Sequence, residues 1–213
     1  MLFDAMSPAD SLTKRAMRAF MGPRGFGAWL TAMEQHGSAV NIGSYLGAEV
    51  PRIFAKGYAE GRAGPAELDT MRRVMRDAMR DGAFGLGSAL IYPPGTYAST
   101  DELAAMAEAM APFHGVYISH IRSEDDDLFP AMDEALEIGR RGGVPVEIYH
   151  LKAAGRRNWP KAAQMVAKID SARRAGQDVG ATRSPRTDRD RGPRRSSTSC
   201  LPSRRAWGRS RLA

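Results

Sequence analysis

Leu90, His120 and His150 fall thirty residues apart, each at the end of an apolar, β-prone run. Between those runs the apolar residues change to helical spacing: Leu103, Met106, Ala107 and Met110, then Leu128, Met132, Ala135 and Leu136. A strand followed by a helix of this length feeds the next strand parallel to the last, through a right-handed crossover. The spacing therefore predicts an α/β chain with a parallel sheet. An open doubly wound sheet and a closed barrel both satisfy it. At 213 residues the chain is about 40 residues short of an ordinary eight-stranded α/β barrel, so a barrel here is a partial one.

The flanking segments extend the rhythm. Residues 9–36 read as helical and end at Gly37, and 39–47 is a strand candidate. Leu68, Met71, Met75, Ala78 and Met79 share one face of a helix over 66–81 that Gly82 ends. Residues 83–92 form a buried strand followed by a Pro-Pro-Gly turn. Ser99 and Glu102 form a capping box ahead of Leu103. Gly142 and Gly143 stop the helix begun near Leu128, and Asn158 caps another that runs to about Ala175. Residues 177–181 open a further strand.

After Gly180 the pattern stops. Residues 181–213 contain ten Arg and two Asp, with almost no Leu, Ile or Val. Such a segment buries too little apolar area to offset its ordering entropy, so a disordered basic tail is expected over 181–213, beside a folded body over 1–180. The tail is either a basic arm or GC-rich coding sequence read out of frame. It carries the whole of the net charge of +7, because the first 180 residues hold 21 basic and 22 acidic groups. Nucleic-acid binding is therefore expected only through the tail, and only without specificity. No apolar run is long enough to cross a membrane, and the first residues lack the pattern of a signal peptide. The single cysteine, Cys200, allows no internal disulfide and suits a reducing compartment, with the cytoplasm as the default.

Two runs carry the chemistry. Val116-Tyr117-Ile118-Ser119-His120-Ile121-Arg122 and Val146-Glu147-Ile148-Tyr149-His150-Leu151-Lys152 share the pattern Val-x-Ile-x-His-x-cation. Strand alternation puts Val116, Ile118, His120 and Arg122 on one face, and Val146, Ile148, His150 and Lys152 on the matching face of the neighbouring strand. The C-terminal edge of such a sheet is where ligands gather. Two imidazoles at matching heights on adjacent strands can share one zinc ion; the alternative is a pair of structural histidines. His36, at a helix end, and His114, at the opposite rim, do not fit a site. Asp125, Asp126 and Asp127 read as the start of the next helix. Two ligands do not complete a catalytic zinc site, so no catalytic residue is assigned.

These segments, with Gly82–Leu103 and the stretch from Gly143 through Ala162, together resemble the D-aminoacylase (N-acyl-D-amino-acid deacylase) branch of the amidohydrolase superfamily. The resemblance runs from about residue 25 to 180. It implies a TIM-like barrel, here roughly its third to seventh strands, and zinc-dependent hydrolysis of the amide of an N-acyl-D-amino acid. It implies zinc on His120 and His150, the substrate carboxylate on Lys152, Arg122 in the polar pocket and Tyr92 lining it. The family's His-x-His and its aspartate ligand have no counterpart in the sequence, so the chain itself is expected to be inactive. Two other readings stand beside this one: a metal- or carboxylate-binding remnant that associates with another subunit supplying the missing strands, and a nucleic-acid binder acting through the tail; open barrel edges also allow self-association.

Overall fold

The computed structural model describes residues 20–183. Residues 9–19 of the helix expected over 9–36 and most of the basic tail lie outside them. Five parallel strands form one sheet in sequential order: β1 (Leu46–Gly47), β2 (Gly85–Ala89), β3 (Val116–His120), β4 (Val146–Ile148) and β5 (Val179–Ala181). The helices are α1 (Gly25–His36), α2 (Glu49–Lys56), α3 (Pro65–Arg80), α4 (Thr100–Met110), α5 (Leu128–Gly142) and α6 (Ala162–Arg174). Parallel neighbours in chain order, each joined by a helix, make a five-stranded segment of a TIM-like barrel. Among the described residues no helix is long and apolar enough to cross a membrane.

Register explains the strand compositions. Leu46, Leu86, Tyr117, Val146 and Val179 lie opposite one another across all five strands, and every one is buried. This row faces the helices, where Met71 and Met75 of α3, Leu103, Met106 and Met110 of α4, and Leu128, Met132 and Ile138 of α5 complete the core. Unbranched Met and Leu suit this layer, since they keep rotamer freedom in a helix and fill irregular gaps. Gly139 of α5 lets the helix close on β4: a Cβ there would meet Val146 Cγ2 at 2.0 Å. The next row, Gly47, Gly87, Ile118, Glu147 and Gly180, faces the other way, into the barrel interior.

Three expectations need correction. The strand expected over 39–47 reduces to Leu46–Gly47, because Val40 and Ile42 have no strand beside them and stay exposed. Ser99 does cap α4, accepting the Glu102 N–H at 3.3 Å, but the Glu102 carboxylate does not return to Ser99 N–H. It binds Arg52 of α2 and accepts the Ala63 N–H at 2.8 Å. Asn158 is no helix cap. It sits inside a 3₁₀ turn over Arg156–Lys161 and donates to the Ala154 carbonyl, 2.8 Å away.

On the helix-facing side Ser88 meets the Tyr117 hydroxyl and Ser119 Oγ, each at 2.9 Å. Burial pushes the Tyr117 phenol up to about 12, against a partial opposing effect from Ser119 and Ser88. A phenol whose folded value is raised gives up stability as the unfolded chain ionises first. That contribution is whole below pH 10 and is lost as the pH climbs from 10 to about 12. The loss reaches ~3 kcal/mol over the window. Urea unfolding at pH 9 and pH 11.5 should show it in the wild type and not in Tyr117→Phe.

Candidate metal centre

β3 ends at His120, which follows Ile118 on the interior face. β4 is offset by one residue from the expected alignment. Ile118 lies opposite Glu147, and Ser119 opposite Ile148, so Ile148 shares the helix-facing side. Strict alternation would then send His150 toward the helices. It does not, because the strand ends at Ile148 and the backbone turns, with His150 at φ 35°. Thr182, just past β5, holds this turn. Its Oγ1 accepts the His150 N–H at 2.7 Å, its carbonyl accepts the Leu151 N–H at 2.8 Å, and its own N–H reaches the Ile148 carbonyl at 2.9 Å. The sheet therefore continues past residue 180.

The two imidazoles meet at the C-terminal rim, with His120 Nδ1 2.8 Å from His150 Nε2 and ring centroids 4.6 Å apart. Tyr149 stacks on His150 at 6.0 Å, and Tyr92 lies 6.0 Å from His120 at the solvent side. Burial holds the His120 imidazole below its ordinary pKa; Glu124 opposes this, and His150 and Lys152 add to it. A neutral ring keeps a lone pair available to a metal.

Glu124 was not foreseen in the sequence. It lies four residues after His120 in the loop toward α5, with its side chain 13% exposed. Its Oε1 is 3.1 Å from His150 Nδ1 and 3.8 Å from His120 Nε2, and it also binds the Lys152 ammonium. Lys152 Nζ is 2.8 Å from His150 Nδ1 as well. The residue pattern Ser-His-x-x-x-Glu was the available signal, but three aspartates beside it drew the reading toward a helix start.

Arg122 is not brought to this cluster. Past the end of β3 it turns to the helix layer, where Nε and Nη2 donate to Glu134 of α5 at 2.8 Å each. Its remaining bonds go to the carbonyls of Thr96 and Ala98, at 2.9 and 2.8 Å. It ties the loop after β2 to α5. An open cleft of about 370 Å³, lined by Asp125, Gly155, Arg156 and Asn158 among others, adjoins Glu124 through Ala154.

The donor set fits a divalent metal. His120, Glu124 and His150 each offer a ligand atom within 4.8 Å of the others, the one such group among the described residues. His120 Nε2 is buried without a hydrogen-bond partner. Imidazole nitrogens are donors zinc takes, and a carboxylate beside them serves either as a further ligand or as their hydrogen-bond partner.

A parallel (β/α) sheet with converging imidazoles at its C-terminal rim has the layout of the metal-dependent barrel hydrolases. Comparison with known proteins narrows the class. No family model matches the chain. An N-acyl-D-glutamate deacylase of Alcaligenes xylosoxydans xylosoxydans is 35% identical over 148 residues, 70% of this chain. A D-aminoacylase structure, described by one-metal activation and second-metal attenuation of its binuclear centre, superposes with TM-score 0.72 at 30% identity, covering 76% of this chain and 34% of that one. The N-acyl-D-glutamate deacylase of Bordetella bronchiseptica, solved with zinc and a phosphonate inhibitor, gives TM-score 0.70 at 29% identity over 73% of this chain and 33% of that one. Over about 70% of its length the chain is homologous to the D-aminoacylase branch of the amidohydrolase superfamily. It spans about 30% of the length of the curated relatives it matches.

Proposed function

We propose that this chain supplies the metal-holding wall of an N-acyl-D-amino-acid deacylase site, with zinc as the metal and His120 and His150 as its ligands. The observation that carries the reading is the 2.8 Å approach of His120 Nδ1 and His150 Nε2 at the strand rim. When bound, zinc supplies Lewis-acid polarisation of the scissile carbonyl. Lys152, 44% exposed at the same rim, holds the substrate carboxylate and so fixes which enantiomer presents its amide. Tyr92 covers the solvent side of His120. We place the protein in the cytoplasm, since Cys200 has no partner for an internal disulfide.

Hydrolysis needs more than this wall. A binuclear centre takes more ligands than the three donors gathered among the described residues. The 213-residue chain is therefore proposed to bind metal without turning over. With zinc added, it should release no D-amino acid from N-acetyl-D-glutamate or N-acetyl-D-aspartate above a protein-free blank. Zinc-dependent release that His150→Ala abolishes would overturn the proposed inactivity.

A further inference from the structure

Glu124 sits beside both imidazoles, yet on their outer side. The nitrogens that face each other are His120 Nδ1 and His150 Nε2, 2.8 Å apart. The nitrogens turned toward Glu124 Oε1 are the other two: His150 Nδ1 at 3.1 Å and His120 Nε2 at 3.8 Å. One carboxylate oxygen thus stands behind both rings, opposite the side where their inner nitrogens meet.

Building on the zinc reading above, we propose that Glu124 is a positioning carboxylate and not a metal ligand: it holds the proton of His150 on Nδ1 and leaves Nε2 free to bind metal. Metal-bound histidines commonly donate their second ring N–H to a carboxylate, which fixes tautomer and ring orientation. Here the choice of tautomer is contested, because the Lys152 ammonium is within hydrogen-bond distance of the same Nδ1, at 2.8 Å, and can only donate to it. If Nδ1 accepted from the ammonium, the ring proton would move to Nε2 and block the metal side. Glu124 prevents this in two ways. Its Oε1 stands 3.1 Å from Nδ1, where it attracts a ring proton, and it binds the Lys152 ammonium, giving that cation another acceptor. An unprotonated Nδ1 would also set two lone pairs against each other at 3.1 Å.

The test uses the full chain, with Glu124→Gln and Glu124→Ala as variants and two readouts. Nitrogen-15 spectra of the metal-free protein report the His150 tautomer, and competition with a chromophoric chelator reports zinc affinity. Glutamine keeps an acceptor at the same reach but is a poor zinc ligand, so the variants separate the two roles. The expected results are Nδ1–H in the wild type and Glu124→Gln, loss of that preference in Glu124→Ala, and zinc affinity lowered about 10–100-fold in Glu124→Ala but under about 5-fold in Glu124→Gln. Equal, large losses in both variants would show direct ligation and overturn the proposal. So would an unchanged Glu124→Ala, or Nε2–H in the wild type. If His120→Ala and His150→Ala leave zinc affinity unchanged, the zinc reading fails by itself, while the tautomer spectra, recorded without metal, still judge Glu124.

Discussion

Glu102→Ala should cost about 3–5 kcal/mol of folding stability, a large fraction of the ~5–15 kcal/mol that a domain has. The reason lies in a pair that joins three parts of the chain. Arg52 of α2 and Glu102 of α4 are each 1% exposed and bonded to each other. Arg52 Nη2 also donates to the carbonyls of Ala59 and Gly61, at 3.0 and 2.8 Å, and Glu102 accepts the Ala63 N–H. The pair closes the loop between α2 and α3 and anchors it to the start of α4. Removing the carboxylate leaves a guanidinium in the interior with no countercharge, and it strands the Ala63 N–H. Both penalties are those of unmet buried polar groups, which exceed the net worth of the bonds themselves. Replacing Arg52 and Glu102 together by Met should be milder than Glu102→Ala alone, since no charge is then left buried. Urea midpoints at constant m-value read the difference, and a shift below about 1 kcal/mol for Glu102→Ala would mean that Arg52 is solvated after all.

His120→Ala and His150→Ala should each lower zinc affinity more than about 100-fold, or ~2.8 kcal/mol, with little change in urea midpoint. Neither ring lies in the apolar core, and their side chains are 16% and 31% exposed. The effect is therefore expected in binding and not in folding. Lys152→Met provides the contrast. It removes the cation nearest the site and leaves both imidazoles and Glu124 in place, so zinc affinity should hold or rise.

The sheet was readable because its cause is local. The thirty-residue period and the switch between strand and helix spacing are set by residues close in sequence, and the parallel order of β2, β3 and β4 follows from them; the register does not, since Tyr117 and not Val116 lies opposite Val146. The approach of His120 to His150 was anticipated for a reason that was only half right. Alternation alone would have turned the second ring to the helices; a left-handed backbone at His150 and the Thr182 hydroxyl turn it back. Neither follows from propensity, and Thr182 falls in the stretch assigned to the tail. Arg122 was misled by the same assumption, since alternation ends where β3 ends. The Arg52–Glu102 pair joins residues fifty apart, and nothing nearby in sequence distinguishes Glu102 from an ordinary capping residue.

The central claim is that the facing imidazoles of His120 and His150 hold the metal. Equilibrium dialysis against zinc, followed by metal analysis of the washed protein, tests it in one step. The wild-type chain should retain about one equivalent and the folded double variant His120→Ala/His150→Ala none. Equal retention by both proteins would contradict the account.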